Sequence, residues 1–294
     1  MLEPSSNHPE YMEKLKKNNP AKDRKIDQDD NWYFKDTNYV SNSMLKVFQS
    51  GGIKNYDAYL RGELKTYSKA FDIGSAFHCL ILEPEFFHER FFVLEDTDIC
   101  IKASGENWKE NNKKPTMTTV YKKWYKEEIQ PIIDEGVFTV ISQDDMILLE
   151  TMQSKLMAIP EIKSLLKACD EFEGIYSNEI NGIKTKCKVD GLKYDDFMID
   201  LKTTGSSVKD FLSSSYKYGY DQQAAFYTDT VGVKNFVFIV IEKNYPYNVG
   251  IFRCGESFIE RGRDSYMKGL EDLNHYMSQP NFDVESFYFR DLLV

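Results

Sequence analysis

Nowhere does this chain carry an apolar run approaching the ~18 residues of a membrane-spanning helix, nor a basic stretch followed by a short apolar one at its start. Both absences exclude a helical membrane span and a secretory leader as readings and set the expectation of a cytoplasmic protein. Paired cysteine spacing is also missing. The five cysteines, at 79, 100, 169, 187 and 254, are scattered, and none forms Cys-x-x-Cys. That argues against a structural zinc site or a cysteine-held iron–sulfur cluster and suits reduced thiols. Positive charge is in deficit: 37 Lys and Arg against 47 Asp and Glu leave a net charge of −10. Such a chain repels a polyanion at long range, so any nucleic-acid contact needs a local basic surface and metal ions.

Apolar residues make up 41% of the sequence and aromatics 14%, ample for the core of one large domain or two small ones. The most informative stretch runs from Lys186-Cys-Lys-Val-Asp190 to Asp200-Leu-Lys202-Thr-Thr204. Val189 to Leu192 and Phe197 to Leu201 are short apolar runs, and Tyr194-Asp195-Asp196 between them is a turn signal. A strand alternates its faces with period two, so Asp200 and Lys202 share a face, and Asp190 on the neighbouring strand can sit beside Asp200. Two carboxylates and an ammonium in one place suit a hard divalent cation such as Mg2+. The lysine can then steady or deprotonate a water that attacks phosphorus. The competing reading is an ordinary same-face ion pair. Met198-Ile199 ahead of the acid favours the first, because charges ending a buried strand need a reason.

In chain order, residues 1–38 are polar, with Pro4, Pro9, Pro20 and a mixed-charge run over 14–30. They read as an arm, either disordered or bridging to another subunit. Ser41 reads as the N-cap of a helix, and residues 71–82 as an apolar helix that contains His78. Lys109, Lys113, Lys114, Lys122 and Lys123 are interleaved with Trp108, Tyr121, Trp124 and Tyr125. That pattern fits either a DNA-binding lane of cations and stacking aromatics or a solvated amphipathic helix. Residues 142–168 read as a helix opened by a capping box, Ser142-Gln-Asp-Asp145. Strands are expected at 172–180, 183–192, 197–202, 235–242 and 248–254, the first two joined by Asn181-Gly182. Helices are expected at 207–215, 219–231 and 256–277. The sum is an α/β fold with a central mixed β-sheet flanked by helices.

The spacing Asp190…Asp200-x-Lys202 resembles the active-site signature of the PD-(D/E)-x-K nuclease superfamily, with Val189 where that name has Pro. Four longer strings are similar to its RecE-type (exonuclease VIII-like) branch of phages and prophages. They are Val40-Ser-Asn-Ser-Met-Leu45, Phe71-Asp-Ile-Gly-Ser-Ala-Phe-His-Cys-Leu-Ile-Leu-Glu-Pro84, Ile199-Asp-Leu-Lys-Thr-Thr204 and Tyr218-Gly-Tyr-Asp-Gln-Gln-Ala-Ala-Phe-Tyr227. The resemblance spans about residues 39–255 and implies a restriction-endonuclease-like core, with a single nuclease domain over 39–294 and a mainly helical elaboration at 95–168. It implies Mg2+ or Mn2+ held by Asp190 and Asp200 with His78, and Glu173 as an additional acid ahead of the first aspartate. It implies Lys202 as the water-orienting or activating group, with Gln223 and Tyr227, one helical turn apart, positioning substrate. The activity implied is digestion of linear double-stranded DNA from 5′ ends, leaving 3′ single strands for an annealing partner. A ring-shaped homo-oligomer in a bacterial host cytoplasm is implied with it. An endonuclease or single-strand nuclease of the same superfamily, a non-catalytic DNA-binding accessory and a structural phage protein are the alternatives.

Overall fold

The computed structural model describes residues 20–64, 69–95, 99, 115–134, 138–279 and 283–286. A helical turn, Pro20–Arg24 (α1), and a short helix, Asp30–Lys35 (α2), lead to a two-residue strand, Val40–Ser41 (β1), and to helix Asn42–Leu60 (α3). Lys69–Leu82 (α4) and Phe87–Arg90 (α5) precede strand Phe91–Leu94 (β2); Thr119–Trp124 (α6) and Gln130–Asp134 (α7) precede strand Thr139–Ser142 (β3). Helices Gln143–Met157 (α8) and Pro160–Ala168 (α9) come next, then three successive strands, Glu171–Ile180 (β4), Ile183–Lys193 (β5) and Phe197–Thr204 (β6). Phe211–Lys217 (α10), Tyr220–Val231 (α11), Asn235–Glu242 (β7), Val249–Arg253 (β8) and Glu256–Met277 (α12) follow.

The main sheet is mixed, as expected, and is organised on β5. That strand pairs antiparallel with β4 along its length. It shares its other edge between β1, parallel at Lys186, and β6, antiparallel from Gly191 onward. β7 runs parallel to β6, with Asp200 beside Phe238, and β8 closes the edge. Period-two alternation then buries both faces. Cys187, Val189, Met198, Phe236, Phe238 and Val240 meet α3, α11 and α12 on one side. Ile199, Leu201, Val237, Ile239 and Ile241 meet α4, α8 and α9 on the other. A strand covered on both faces reads as a continuous apolar run, which is what β7 is. Among the described residues no helix is long and apolar enough to cross a membrane.

Local chemistry explains most boundaries. Ser41 accepts from the Met44 N–H, and Ser142 and Asp145 cap each other reciprocally. Asn181 and Gly182 take φ values of 51° and 78°, the left-handed pair that a tight hairpin requires. Two expectations are corrected. The helix expected over 142–168 is two helices, because Pro160 offers no N–H and forces Ile159 into an extended conformation. Strand β3, inside the region 95–168, pairs parallel with β2 just ahead of that region, Phe91 beside Thr139. Residues 20–38 of the expected arm are docked. Arg24 Nη1 donates to the carbonyls of Asp229 and Thr230 at 2.9 and 3.1 Å, and the Ile26 N–H to the Ile175 carbonyl at 2.9 Å. The buried ammonium of Lys186 donates to the carbonyls of Tyr33 and Asp36 at 2.6 and 2.5 Å. Residues 1–19 lie outside the described ones. So do Lys109, Lys113 and Lys114; Lys122 and Lys123 are exposed on α6, while Tyr121 is buried in a small cluster with Leu94 and Ile129.

Helix α11 packs closely on α12, where a Cβ added at Gly262 would lie 2.0 Å from the Asp221 carbonyl oxygen. Backbone cannot yield as a side chain does, so Gly262→Ala should destabilise the fold by about 1–3 kcal/mol. Gly205→Ala, where an added methyl meets nothing within 4 Å, should not. Thermal melts of the two variants check this, and equal midpoints would refute the packing argument.

Candidate active site

The site forms where two β ladders stop. Between β4 and β5 the register runs from Phe172↔Gly191 to Gly174↔Val189, and the position between them sets Glu173 opposite Asp190. Glu173 has φ 54°, a left-handed conformation that costs a non-glycine residue about 1–3 kcal/mol. Its effect is to reverse the side-chain alternation. Tyr176 and Ile180 face the α11 side, but Phe172 faces the opposite core; on β5, Val189 and Leu192 face the same side although three residues apart. Both acids are thereby turned out of the regular pleat. The β5–β6 ladder ends at Gly191↔Ile199, and just beyond it Asp190 Oδ2 takes the Leu201 N–H at 2.7 Å in place of a strand carbonyl.

Helix α4 presents His78 to this break, with Nδ1 3.4 Å from Asp190 Oδ2. His78, Glu173 and Asp190 each offer a ligand atom, and these atoms lie within 4.8 Å of one another. Asp200 occupies the adjoining strand and is 2% exposed. Its Oδ1 accepts from Gln223 Nε2 of α11 at 2.5 Å. Its Oδ2 lies 2.6 Å from Lys202 Nζ yet receives no well-aligned hydrogen bond. Of the expected ligands, His78, Glu173 and Asp190 thus gather as a three-residue cluster, with Asp200 beside it in the grip of Lys202 and Gln223. Tyr227, one turn beyond Gln223, lies beside Tyr33 of α2 and packs edge-on against Phe236 at 6.2 Å. Glu83, at the end of α4, is paired with Arg90.

Two participants carried no signal in the sequence analysis. Lys188 Nζ lies 2.7 Å from Glu173 Oε2 and 2.6 Å from Asp30 Oδ1. The docked N-terminal segment therefore reaches the site through one lysine. Lys188 precedes Asp190 by two, the same spacing that joins Asp200 to Lys202, and that repeat was the available clue. Asp30 had none, because its neighbours in space come from a strand 150 residues on in the chain, as the Lys186–Asp36 contact shows.

Electrostatics here are dominated by burial. Burial first, and Asp200 second, raise the Asp190 carboxyl above the usual carboxylate range. Burial and then Asp190 push Glu173 up to about 7. Burial, with help from Lys202, lowers His78, which keeps the imidazole neutral, the form that binds metals. Burial also works against the Lys202 ammonium, but Asp200 and Asp190 outweigh it and raise that group. Crowded oxygen donors, one neutral imidazole and a carboxylate oxygen lacking an aligned donor fit a divalent cation.

A carboxyl whose folded pKa lies above its unfolded value holds its proton longer when folded. Glu173, moved from 4.5 to about 7, therefore costs stability as pH rises through that window. In metal-free buffer, Glu173→Gln should gain stability over the wild type from pH 4.5 to 7 and hold the gain above it. Added Mn2+ should stabilise the wild type more than the variant. Denaturant melts across pH measure both, and a flat difference would place the Glu173 carboxyl outside the crowded cluster.

The structure superposes on the crystal structure of a candidate exonuclease from Eubacterium rectale with a TM-score of 0.54 at 15% identity, covering 91% of this chain and 96% of that one. That likeness shows a shared fold. An alkaline exonuclease from Laribacter hongkongensis aligns over 66% of this chain and 94% of its own at 14% identity, but with a TM-score of 0.27 it carries no argument. No curated protein matches the chain. The family model of the PDDEXK-like domain of unknown function DUF3799 matches residues 41–285, most of the chain and all the residues of the cluster, and the protein belongs to that family.

Proposed function

We propose that this protein is a metal-dependent exodeoxyribonuclease that hydrolyses linear double-stranded DNA in the 5′→3′ direction. The observation that supports it above others is the pair of buried Asp200 and half-buried Lys202 set against the His78–Glu173–Asp190 cluster. His78, Glu173 and Asp190, with Asp200, would hold Mg2+ or Mn2+. The bound cation would supply Lewis-acid polarisation of the phosphate and a more acidic water. The chain's own residues do the rest. Lys202, held as an ammonium by Asp200 and Asp190, orients the attacking water and balances charge as it builds on phosphorus. Gln223 fixes the Asp200 carboxylate by donating to Oδ1. Leu201 N–H pins Asp190, and Lys188 holds Glu173 toward the cluster. Neutral His78 brings no positive charge against the cation.

The resemblance to RecE-type enzymes supports the finer reading. The product would be 3′ single strands handed to an annealing protein, the assembly a ring of identical subunits, and the setting a bacterial cytoplasm with a phage or prophage gene. We take residues 20–38 into the same nuclease domain as 39–294, because Asp30 reaches Glu173 through Lys188. The net charge of −10 requires DNA to arrive along a local basic lane, to which the exposed Lys122 and Lys123 belong on this reading.

One linear duplex, labelled separately at each end, tests catalysis, metal dependence and direction together. Digestion should need Mg2+ or Mn2+, stop with chelator and release the 5′ label first. Cutting of closed circular DNA at the same rate would turn the assignment to an endonuclease. Asp200→Ala should abolish cleavage with the fold retained. Lys202→Ala should bind metal and DNA but turn over roughly 10²–10⁴ times more slowly, as loss of a proton-handling or water-orienting group does. Calorimetry with Mn2+ beside single-turnover rates separates those roles; lost metal binding with an intact rate would reverse them.

A further inference from the structure

A cavity of about 230 Å3 opens beside Lys202, between the turn at 203–206 and helices α10 and α11. Its size falls below the ~300 Å3 at which sites for drug-sized molecules begin, which suits a single small unit better than an extended chain. Its walls combine three chemistries. Thr204, Ser206 and Ser214 contribute hydroxyl-bearing side chains, Lys202 contributes an ammonium, and Tyr218 and Tyr220 contribute aromatic surface.

The aromatic wall is rigid. Tyr220 stacks on Phe211 with centroids 5.8 Å apart and 25° between planes, and Phe211 stacks on Phe252 at 4.5 Å and 30°. Tyr218 stands at the rim, 52% exposed, its ring 6.0 Å from that of Tyr220. An exposed ring beside a fixed one offers a face to a flat, unpaired group. A second cation converges on the same rim. Lys46 of α3 donates from Nζ to the Tyr218 carbonyl at 2.5 Å, and a Cβ built on Gly219 would touch its last two side-chain atoms. Burial first and the Lys202 ammonium second lower the Lys46 pKa, with Asp221 acting the other way. An anion near both ammoniums would be attracted by each. Hydroxyls and two cations for a phosphate, with aromatic surface for a base, describe a nucleotide.

We propose that this cavity is a subsite for one 2′-deoxynucleotide next to the scissile bond, with Lys46 as a phosphate contact and Tyr218 as the platform for its base. The proposal rests on the nuclease reading above and deepens it, since it assigns a nucleotide-binding role to two residues outside the acid cluster. Lys46 and Tyr218 touch substrate in this assignment and take no part in moving a proton.

The test uses the full chain in EDTA, which blocks turnover and leaves the acid cluster repelling phosphate. The probes are dAMP, deoxyadenosine and inorganic phosphate, titrated by calorimetry. dAMP should bind at least about tenfold more tightly than either fragment, since neither carries both the stacking and the anion contact. Lys46→Gln should weaken dAMP about tenfold and Lys46→Arg restore it. Tyr218→Ala should weaken dAMP by a similar factor while leaving inorganic phosphate unchanged, and Tyr218→Phe should keep the wild-type value. Tyr218 is exposed and Lys46 half-buried, and circular dichroism confirms that each variant is folded. Phosphate binding as tightly as dAMP, or dAMP affinity unchanged in both Lys46→Gln and Tyr218→Ala, would overturn the subsite. Metal-dependent digestion of linear duplex by the wild type is measured alongside. Digestion without the dAMP pattern removes the subsite and keeps the nuclease; the dAMP pattern without digestion does the opposite.

Discussion

Mutual repulsion among carboxylates in a poorly hydrated cleft is the condition around which this molecule is arranged. Glu173, Asp190 and Asp200 come from three adjacent strands, and Glu173 and Asp190 would each ionise more easily alone in water. Every one is met by a positive or donating group: Lys188 for Glu173, the Leu201 N–H for Asp190, and Lys202 with Gln223 for Asp200. Low local polarisability strengthens attraction and repulsion alike, so small displacements would matter. The sheet supplies the necessary stiffness. β6 and β7 are covered on both faces by apolar helices, and a doubly buried strand has little room to shift.

That same condition explains the strained Glu173. A regular strand would send its side chain and the flanking Phe172 to alternate faces in step with Tyr176. The left-handed turn of the backbone at this one residue breaks the step and brings an acid to Asp190 and His78. Interrupted ladders of this kind re-aim side chains beside functional sites in many sheets. The conformational cost is local, whereas the support is spread over the flanking pairs at 172 and 174.

How much was legible follows from how far each signal travels along the chain. Asp200 and Lys202 are two residues apart on an apolar strand, and Asp190 lies one turn away, so short-range alternation was enough to place them. The Asn181-Gly182 hairpin and the Ser142–Asp145 box are equally local. Pro160 should have divided the helix expected over 142–168, and the apolar stripe running through it hid the break. Glu173 could be suspected only from the family pattern, because glutamate carries no preference for positive φ. Lys188 had only its spacing from Asp190 as a clue, and Asp30 was out of reach, since their pairing depends on where a polar segment of low apolar content finally lies. Composition made that segment look free; its anchoring resides in residues that belong to β5 and α11.

Those anchors have a consequence of their own. Lys186 and Arg24 grip carbonyl oxygens, which every residue possesses, and the Ile26 N–H joins an edge strand through its backbone. The route of residues 20–38 is therefore written largely in main-chain atoms and in the partners that hold them. Side chains along much of that route are free to drift in evolution without moving the path; Arg24, Lys25 and Asp30 are exceptions, because their side chains reach the α11 carbonyls, Glu171 and Lys188. A segment of this type would look unconserved and dispensable in any comparison of sequences, while its length and course stayed the same.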